Sequence, residues 1–201
     1  ECIEILKSCD IVVTNPPFSL FREYIAQLVE YDKKVLIIGS KNAVTYKEVF
    51  PLIRDNKIWL GCNNVKEFLQ PDASVKKFGN IGWFTNLDVK KRHEKLVLDK
   101  CYSRLMYPTF DNYEGISVGR VKDIPCDYDG IMGVPVTYLE KHNPEQFKIL
   151  GITCRNYSPE YRKKFYDKAD YSNANTLNGS ACVLVNGEPK MLYCRLLIKR
   201  I

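Results

Sequence analysis

Apolar residues along the chain fall into short blocks separated by polar breaks, and the blocks alternate between two periods. The first, Cys9-Asp-Ile-Val-Val-Thr14, is a β-branched run that stops at Asn15-Pro16-Pro17. Such a run predicts a strand buried on both faces, as in a parallel sheet. The following segment, Ser19 to Tyr31, places apolar residues at 20, 21, 24, 25, 28 and 29, one face of a helix. Ser19 is the expected cap, and Lys33-Lys34 give the helix end the charge its dipole favours. Val35-Leu-Ile-Ile-Gly39 then reads as a second buried strand, completing a βαβ unit.

Thr45-Tyr-Lys-Glu48 has the form of a capping box, predicting a helix through Phe50 towards Arg54 with a kink or stop at Pro51. Lys57-Ile-Trp-Leu-Gly61 and Phe78-Gly-Asn-Ile-Gly-Trp-Phe-Thr85 predict two more strands. Gly79 and Gly82 mark a bulge or a close backbone approach in the second. The polar stretch 62–77 between them reads as a surface excursion. Beyond Leu87 the texture changes to a charge run at 90–95 and a Tyr-, Asp-, Pro- and Gly-rich stretch at 101–145. Phe147 to Ile152 predicts a strand. Ser180 to Val185, Asn186-Gly187 and Met191 to Ile198 predict a hairpin on a tight turn. The pattern predicts an α/β half over 1–95 and a loop-rich, β-containing region over 96–201.

The 201 residues are 45% hydrophobic and 12% aromatic, enough for a packed core and incompatible with a disordered chain. The longest apolar runs are far too short to span a bilayer, so no membrane partner is expected. Net charge is +6, and it is uneven: +3 over residues 1–100, −2 over 101–150, +5 over 151–201. The basic excess around Arg155, Arg162-Lys-Lys164, Lys168 and Arg195 to Arg200 suits either a polyanionic partner or an ordinary solvated surface. Eight cysteines are scattered without a CxxC pair, and the only histidines are His93 and His142. That spacing predicts reduced thiols in a cytoplasmic protein and no metal site. Because the first residue is Glu1, the natural protein is expected to extend upstream.

Asn15-Pro16-Pro17-Phe18 lies between a predicted buried strand and a helix, where open α/β sheets bind ligands. A stiffened turn that merely redirects the chain is the plain alternative. The chemical reading starts from an amino group conjugated to a ring, such as N6 of adenine, whose delocalised lone pair makes it a poor nucleophile. It offers two N–H donors. The Asn15 amide oxygen and the Pro16 carbonyl could accept both, and Pro16 has no N–H of its own to compete. Holding both hydrogens out of the ring plane turns the lone pair towards an electrophile, so orientation and electrostatics replace a general base. Phe18 would lie on the face of the base.

With its neighbours, Asp10-Ile-Val-Val-Thr-Asn-Pro-Pro-Phe-Ser-Leu-Phe21 resembles the catalytic motif of amino-methyltransferases that use S-adenosylmethionine. Phe78 to Leu87 and Asp123 to Pro135 extend the resemblance to the EcoRI-type adenine-specific DNA methyltransferases, over nearly the whole chain. The resemblance implies the latter half of a Rossmann-like methyltransferase sheet over 1–95 and a target-recognition region after it. It implies that Asn15 and Pro16 bind the target amino group, Pro17 shapes the loop and Phe18 stacks on a flipped adenine. Phe78 or Trp83 would complete the pocket, with core packing as the other reading. Arg162, Lys163 and Lys164 would touch phosphates, with a solvated helix face as the other reading. Double-stranded DNA and a cognate restriction endonuclease are the implied partners.

The chain departs from the family pattern in lacking a Phe-x-Gly-x-Gly turn ahead of the catalytic motif. The S-adenosylmethionine site is therefore expected upstream of Glu1. An RNA-base or protein-glutamine methyltransferase, or a non-catalytic nucleic-acid-binding remnant, are the alternatives.

Overall fold

A computed structural model describes residues 2–64, 66–154, 157–166 and 179–201. The expectations for Arg155 and Lys168 lie outside the described residues. The fold is mixed α/β and divides into two compact units, Glu1–Arg92 and His93–Ile201. No helix among the described residues is long and apolar enough to cross a membrane.

The first unit opens with helix α1 (Cys2–Ser8) and strand β1 (Ile11–Thr14), followed by helix α2 (Phe21–Glu30) and strand β2 (Lys34–Ser40). Helix α3 (Phe50–Arg54), strand β3 (Trp59–Asn64), the short strands β4 (Glu67–Leu69) and β5 (Val75–Lys77), and strand β6 (Ile81–Thr85) complete it. The sheet order is β1-β2-β6-β3, with β1 parallel to β2 and β6 antiparallel to both β2 and β3. The strand-helix-strand unit read from the sequence is thus present.

Helix α2 buries Phe21, Ile25 and Leu28, with Val35, Ile37 and Phe84 among the buried sheet residues. Phe21 meets Phe84 edge to face at 4.9 Å. Gly39 leaves the space that Phe21 fills, since a Cβ there would come within 2.4 Å of the ring. Asn86 closes the sheet end: its amide oxygen accepts from Val35 N–H (2.8 Å) and its amide nitrogen donates to the Lys33 carbonyl (2.9 Å).

Several local expectations need correction. β1 is an edge strand, and Ile11 and Val13 are exposed rather than buried. Their register against Lys34 and Leu36 sets them out of phase with buried Val35 and Ile37. Ser19 does not cap α2. Phe18–Leu20 form a 3-10 turn first, and the helix cap is Leu20 without a side-chain hydrogen bond. Lys33 serves α1 instead of α2, its ammonium donating to the carbonyls of Lys7 and Cys9, both at 2.9 Å. Thr45 ends a 3-10 turn (Lys41–Thr45), its hydroxyl donating to the Asn42 carbonyl, so the capping box is not formed. Pro51 neither kinks nor stops α3, because it occupies the first turn, where its missing N–H costs nothing. The bulge expected at Gly79 or Gly82 is in β3, between Leu60 and Asn64, while Gly82 does meet a close neighbour in Lys41.

The second unit is built on strands β7 (Ile116–Ser117), β8 (Met132–Pro135), β9 (Phe147–Ile152), β10 (Cys182–Val185), β11 (Glu188–Met191) and β12 (Arg195–Arg200). Its main sheet has the order β7-β8-β12-β9. The predicted hairpin forms between β10 and β11 across Asn186 and Gly187, both at positive φ (53° and 83°), as a tight hairpin turn requires. The residues expected to continue it instead form β12 in the main sheet, antiparallel to both β8 and β9. Phe110, Tyr113, Ala181, Val183 and Leu197 form a buried cluster.

Candidate functional site

β1 delivers the chain to Asn15 at its carboxyl end. Pro16 is buried and anchors the loop, whereas Asn15, Pro17 and Phe18 are exposed. Pro17 sits in extended backbone (φ −55°, ψ 129°) ahead of the 3-10 turn, and its carbonyl accepts from Leu20 N–H at 3.0 Å. Proline's fixed φ suits that position, and its missing N–H leaves no donor there. Among the described residues, neither the Asn15 amide nor the Pro16 carbonyl has a hydrogen-bond partner. All four motif residues line a cavity of about 510 Å³.

The opposite wall comes from the stretch read as a surface excursion. β4 and β5 pair as a hairpin, and Phe68, Leu69 and Gln70 line the cavity with Phe78, Ile38 and Ile81. Phe68 and Phe78 meet edge to face at 5.3 Å. At the hairpin tip the Asp72 carboxylate accepts from the N–H (3.0 Å) and the hydroxyl (2.6 Å) of Ser74, which holds its pKa below the usual carboxylate range. Pro71-Asp72 followed by Ala73 at positive φ (63°) is the turn signal that could have exposed this hairpin.

The structure thus joins Phe78 to Asn15–Phe18 but not Trp83. Trp83 lines a separate cavity of about 400 Å³, with Leu36, Cys62, Thr85 and Leu87. The Phe78-Gly-Asn-Ile-Gly82 run enters an antiparallel strand, with the ladder starting at Ile81. It is not a strand-to-helix turn and does not have the form of a cofactor cradle.

In the second unit Arg162, Lys163 and Lys164 are engaged internally. The Arg162 guanidinium donates to the Tyr113 hydroxyl and to the Gly179 carbonyl (3.0 Å), and stacks over Phe165 at 4.6 Å. The Lys163 ammonium donates to the Phe110 carbonyl at 2.8 Å. Lys164 pairs with Asp111, which also accepts from the Tyr166 hydroxyl. These contacts, the Lys164 ammonium first, hold the Asp111 carboxyl below its ordinary pKa. Burial and the Asp111 contact push the Tyr166 phenol up to about 12. Lys163 also lines a cavity of about 580 Å³ with Tyr102, Arg104, Tyr107, Asp111 and Leu184.

The profile of the adenine-specific methyltransferase EcoRI family matches residues 1–201. The chain is 51% identical over 219 aligned residues to the type II methyltransferase M.EcoRI of Escherichia coli, covering 99% of this chain and 60% of that protein. It is 33% identical to the type II methyltransferases M.MgeORF184P of Mycoplasma genitalium and M.MpnI of Mycoplasma pneumoniae, covering all of this chain and 67% of each. No solved structure matches it significantly. The chain belongs to the EcoRI family of adenine-specific methyltransferases.

Proposed function

We propose that this chain is the target-base half of a type II DNA methyltransferase that modifies N6 of adenine in duplex DNA. The observation that carries the reading is the unpartnered pair of acceptors, the Asn15 amide and the Pro16 carbonyl, beside Phe18, Phe68 and Phe78 in one cavity. Two acceptors match the two N–H donors of an exocyclic amino group, and aromatic walls match the face of a base. In this reading Asn15 and Pro16 draw the amino hydrogens out of the ring plane. Pro17 fixes the loop and Phe18 stacks on an adenine rotated out of the duplex. Trp83 packs on the sheet, and Arg162, Lys163 and Lys164 brace the second unit instead of holding phosphates.

S-adenosylmethionine is the methyl donor in this proposal. The described residues do not fit it, since no strand-to-helix glycine turn is present, so it is assigned to a segment outside this chain. Two observations support that assignment: the chain spans 60% of the length of M.EcoRI, and β1 presents a parallel-paired edge with exposed Ile11 and Val13. Such an edge is what the latter half of a Rossmann-like sheet offers to the strands that continue it. Residues 1–95 are then the catalytic half and 96–201 the recognition region, acting in the cytoplasm beside a cognate restriction endonuclease.

The test is Asn15→Ala in the complete protein. Methyl transfer to duplex DNA should fall at least about a hundredfold, as when one preorganised polar contact is removed from a transition state, with DNA affinity changed little. Protection of DNA from a methylation-sensitive nuclease by the variant at wild-type rates would overturn the reading. Methylation of RNA or of a protein glutamine in preference to DNA would overturn the substrate.

A further inference from the structure

The sequence separates Cys101 from Cys126, but the second unit brings them together. Lys100 and Pro125 form a parallel bridge, and Cys126 N–H donates to the Lys100 carbonyl at 2.7 Å. The next residues on each segment are Cys101 and Cys126-Asp127. Their two sulfur atoms and one Asp127 carboxylate oxygen all lie within 4.8 Å of one another.

The backbone holds this arrangement from outside the cluster. Tyr102 N–H donates to Asp127 Oδ1 at 2.7 Å, which fixes one carboxylate oxygen and orients the group. Arg200 Nη2 donates to the Pro125 carbonyl at 2.9 Å, tying the second segment to β12. The ring of Tyr102 packs against that of Tyr128 at 4.6 Å.

We propose that Cys101, Cys126 and Asp127 form a zinc site, with water as the fourth ligand. Two thiolates and one carboxylate are donors that zinc accepts and that magnesium or calcium would not select. Tetrahedral zinc bonds of about 2.0–2.3 Å set donor atoms roughly 3.5–4 Å apart, so a contraction of at most about 1.3 Å assembles the ligands. Cys101 and Asp127 are exposed, which leaves water access to the fourth position. Electrostatics point the same way. The Cys126 contact first, and then the negative charges of Cys126 and Asp127, hold the Cys101 thiol above its ordinary pKa. A divalent cation held by these side chains would relieve that repulsion on the Cys101 thiol. The bound ion would cross-link the 100–102 and 125–127 segments.

The test uses the complete protein, reduced and stripped of metal, titrated with zinc against a chromophoric chelator and separately with cobalt(II). One zinc equivalent should bind at micromolar or lower concentration, and cobalt should give a thiolate charge-transfer band of tetrahedral type. Cys101→Ser and Cys126→Ser should each weaken zinc by more than about 100-fold, beyond the 10–100-fold typical of groups that only orient a ligand. Asp127→Asn should weaken it less. Circular dichroism checks that the variants fold, and the serine variants are chosen because Cys101 and Cys126 are not buried. Zinc uptake and a cobalt band unchanged in the double serine variant would place the metal on other cysteines and overturn the proposal. Failure of the reduced wild-type protein to take up zinc, including a pair that only oxidises to a disulfide, would overturn it as well.

Discussion

The Asn15–Phe18 loop and the Tyr161–Tyr166 segment both carry side chains suited to a nucleic acid, and the fold treats them in opposite ways. In the loop, one residue (Pro16) is buried as an anchor while the Asn15 amide and the Pro16 carbonyl are left without partners beside a cavity. In the segment, Arg162, Lys163 and Lys164 are each bound to a carbonyl, a hydroxyl or a carboxylate of their own unit. Residue type alone does not separate the two cases. What separates them is whether local structure has already satisfied the polar group, because a satisfied group gains little by exchanging one partner for another.

The sharpest way to break this contrast is to truncate one residue on each side and compare rate with stability. Asn15→Ala should lower methyl transfer at least about a hundredfold in the complete protein while leaving the unfolding midpoint unchanged. Arg162→Ala should do the reverse. It removes the charged donor to the Tyr113 hydroxyl and the Gly179 carbonyl, which keep only their mutual hydrogen bond (2.6 Å), and the stacking over Phe165, so a loss of about 1.5–3 kcal/mol in urea unfolding is expected. Its salt dependence of DNA binding should match wild type. A lower salt slope for the Arg162 variant, with stability intact, would assign it a phosphate contact and erase the difference.

A smaller effect tests the aromatic wall. Phe18 is 42% exposed, so it contributes little to the core and most to whatever occupies the cavity. Phe18→Ala should weaken productive base binding by about 1–2 kcal/mol, roughly tenfold, at unchanged stability. Phe68→Ala should add to this, because its ring packs on Phe78 across the hairpin. Titrating the 201-residue chain with S-adenosylmethionine in a calorimeter should show no micromolar binding. Such binding would move the cofactor site into this chain.

The loop was legible in the sequence because everything that defines it is local. A β-branched strand, two prolines and an amphipathic helix follow one another without a long-range contact, and the structure keeps that order. The cavity's far wall was not legible, because Phe68 and Gln70 reach it only through pairing of two three-residue strands in a polar stretch. The exposure of Ile11 and Val13 was missed for a related reason. A continuous apolar run is the same in a central strand as at an edge, and only the neighbours decide. Arg162 to Lys164 were ambiguous because their partners, Phe110 to Tyr113 and Gly179, are distant in sequence. The convergence of Cys101 with Cys126 depends likewise on one parallel bridge that no spacing announces.

The weakest expected effect concerns the Lys164–Asp111 contact, and pH isolates it. The Lys164 ammonium, followed by the Tyr166 hydroxyl, holds the Asp111 carboxyl below its ordinary value. A carboxyl whose folded pKa is depressed adds stability above its unfolded pKa of about 3.9 and loses it as pH falls through the folded value. The lysine pKa is raised by the same contact, so its contribution persists until pH passes about 10.4, the unfolded value for lysine. Stabilisation by the pair should therefore be constant through the neutral range and fade below about pH 4. Lys164 is 47% exposed, so solvent screening keeps the effect to a small margin. Asp111→Asn should be less stable than wild type by that margin at pH 7, and the two urea curves should converge near pH 2. Parallel curves at both pH values would show that Asp111 acts there through packing and its tyrosine hydrogen bond, not through its charge.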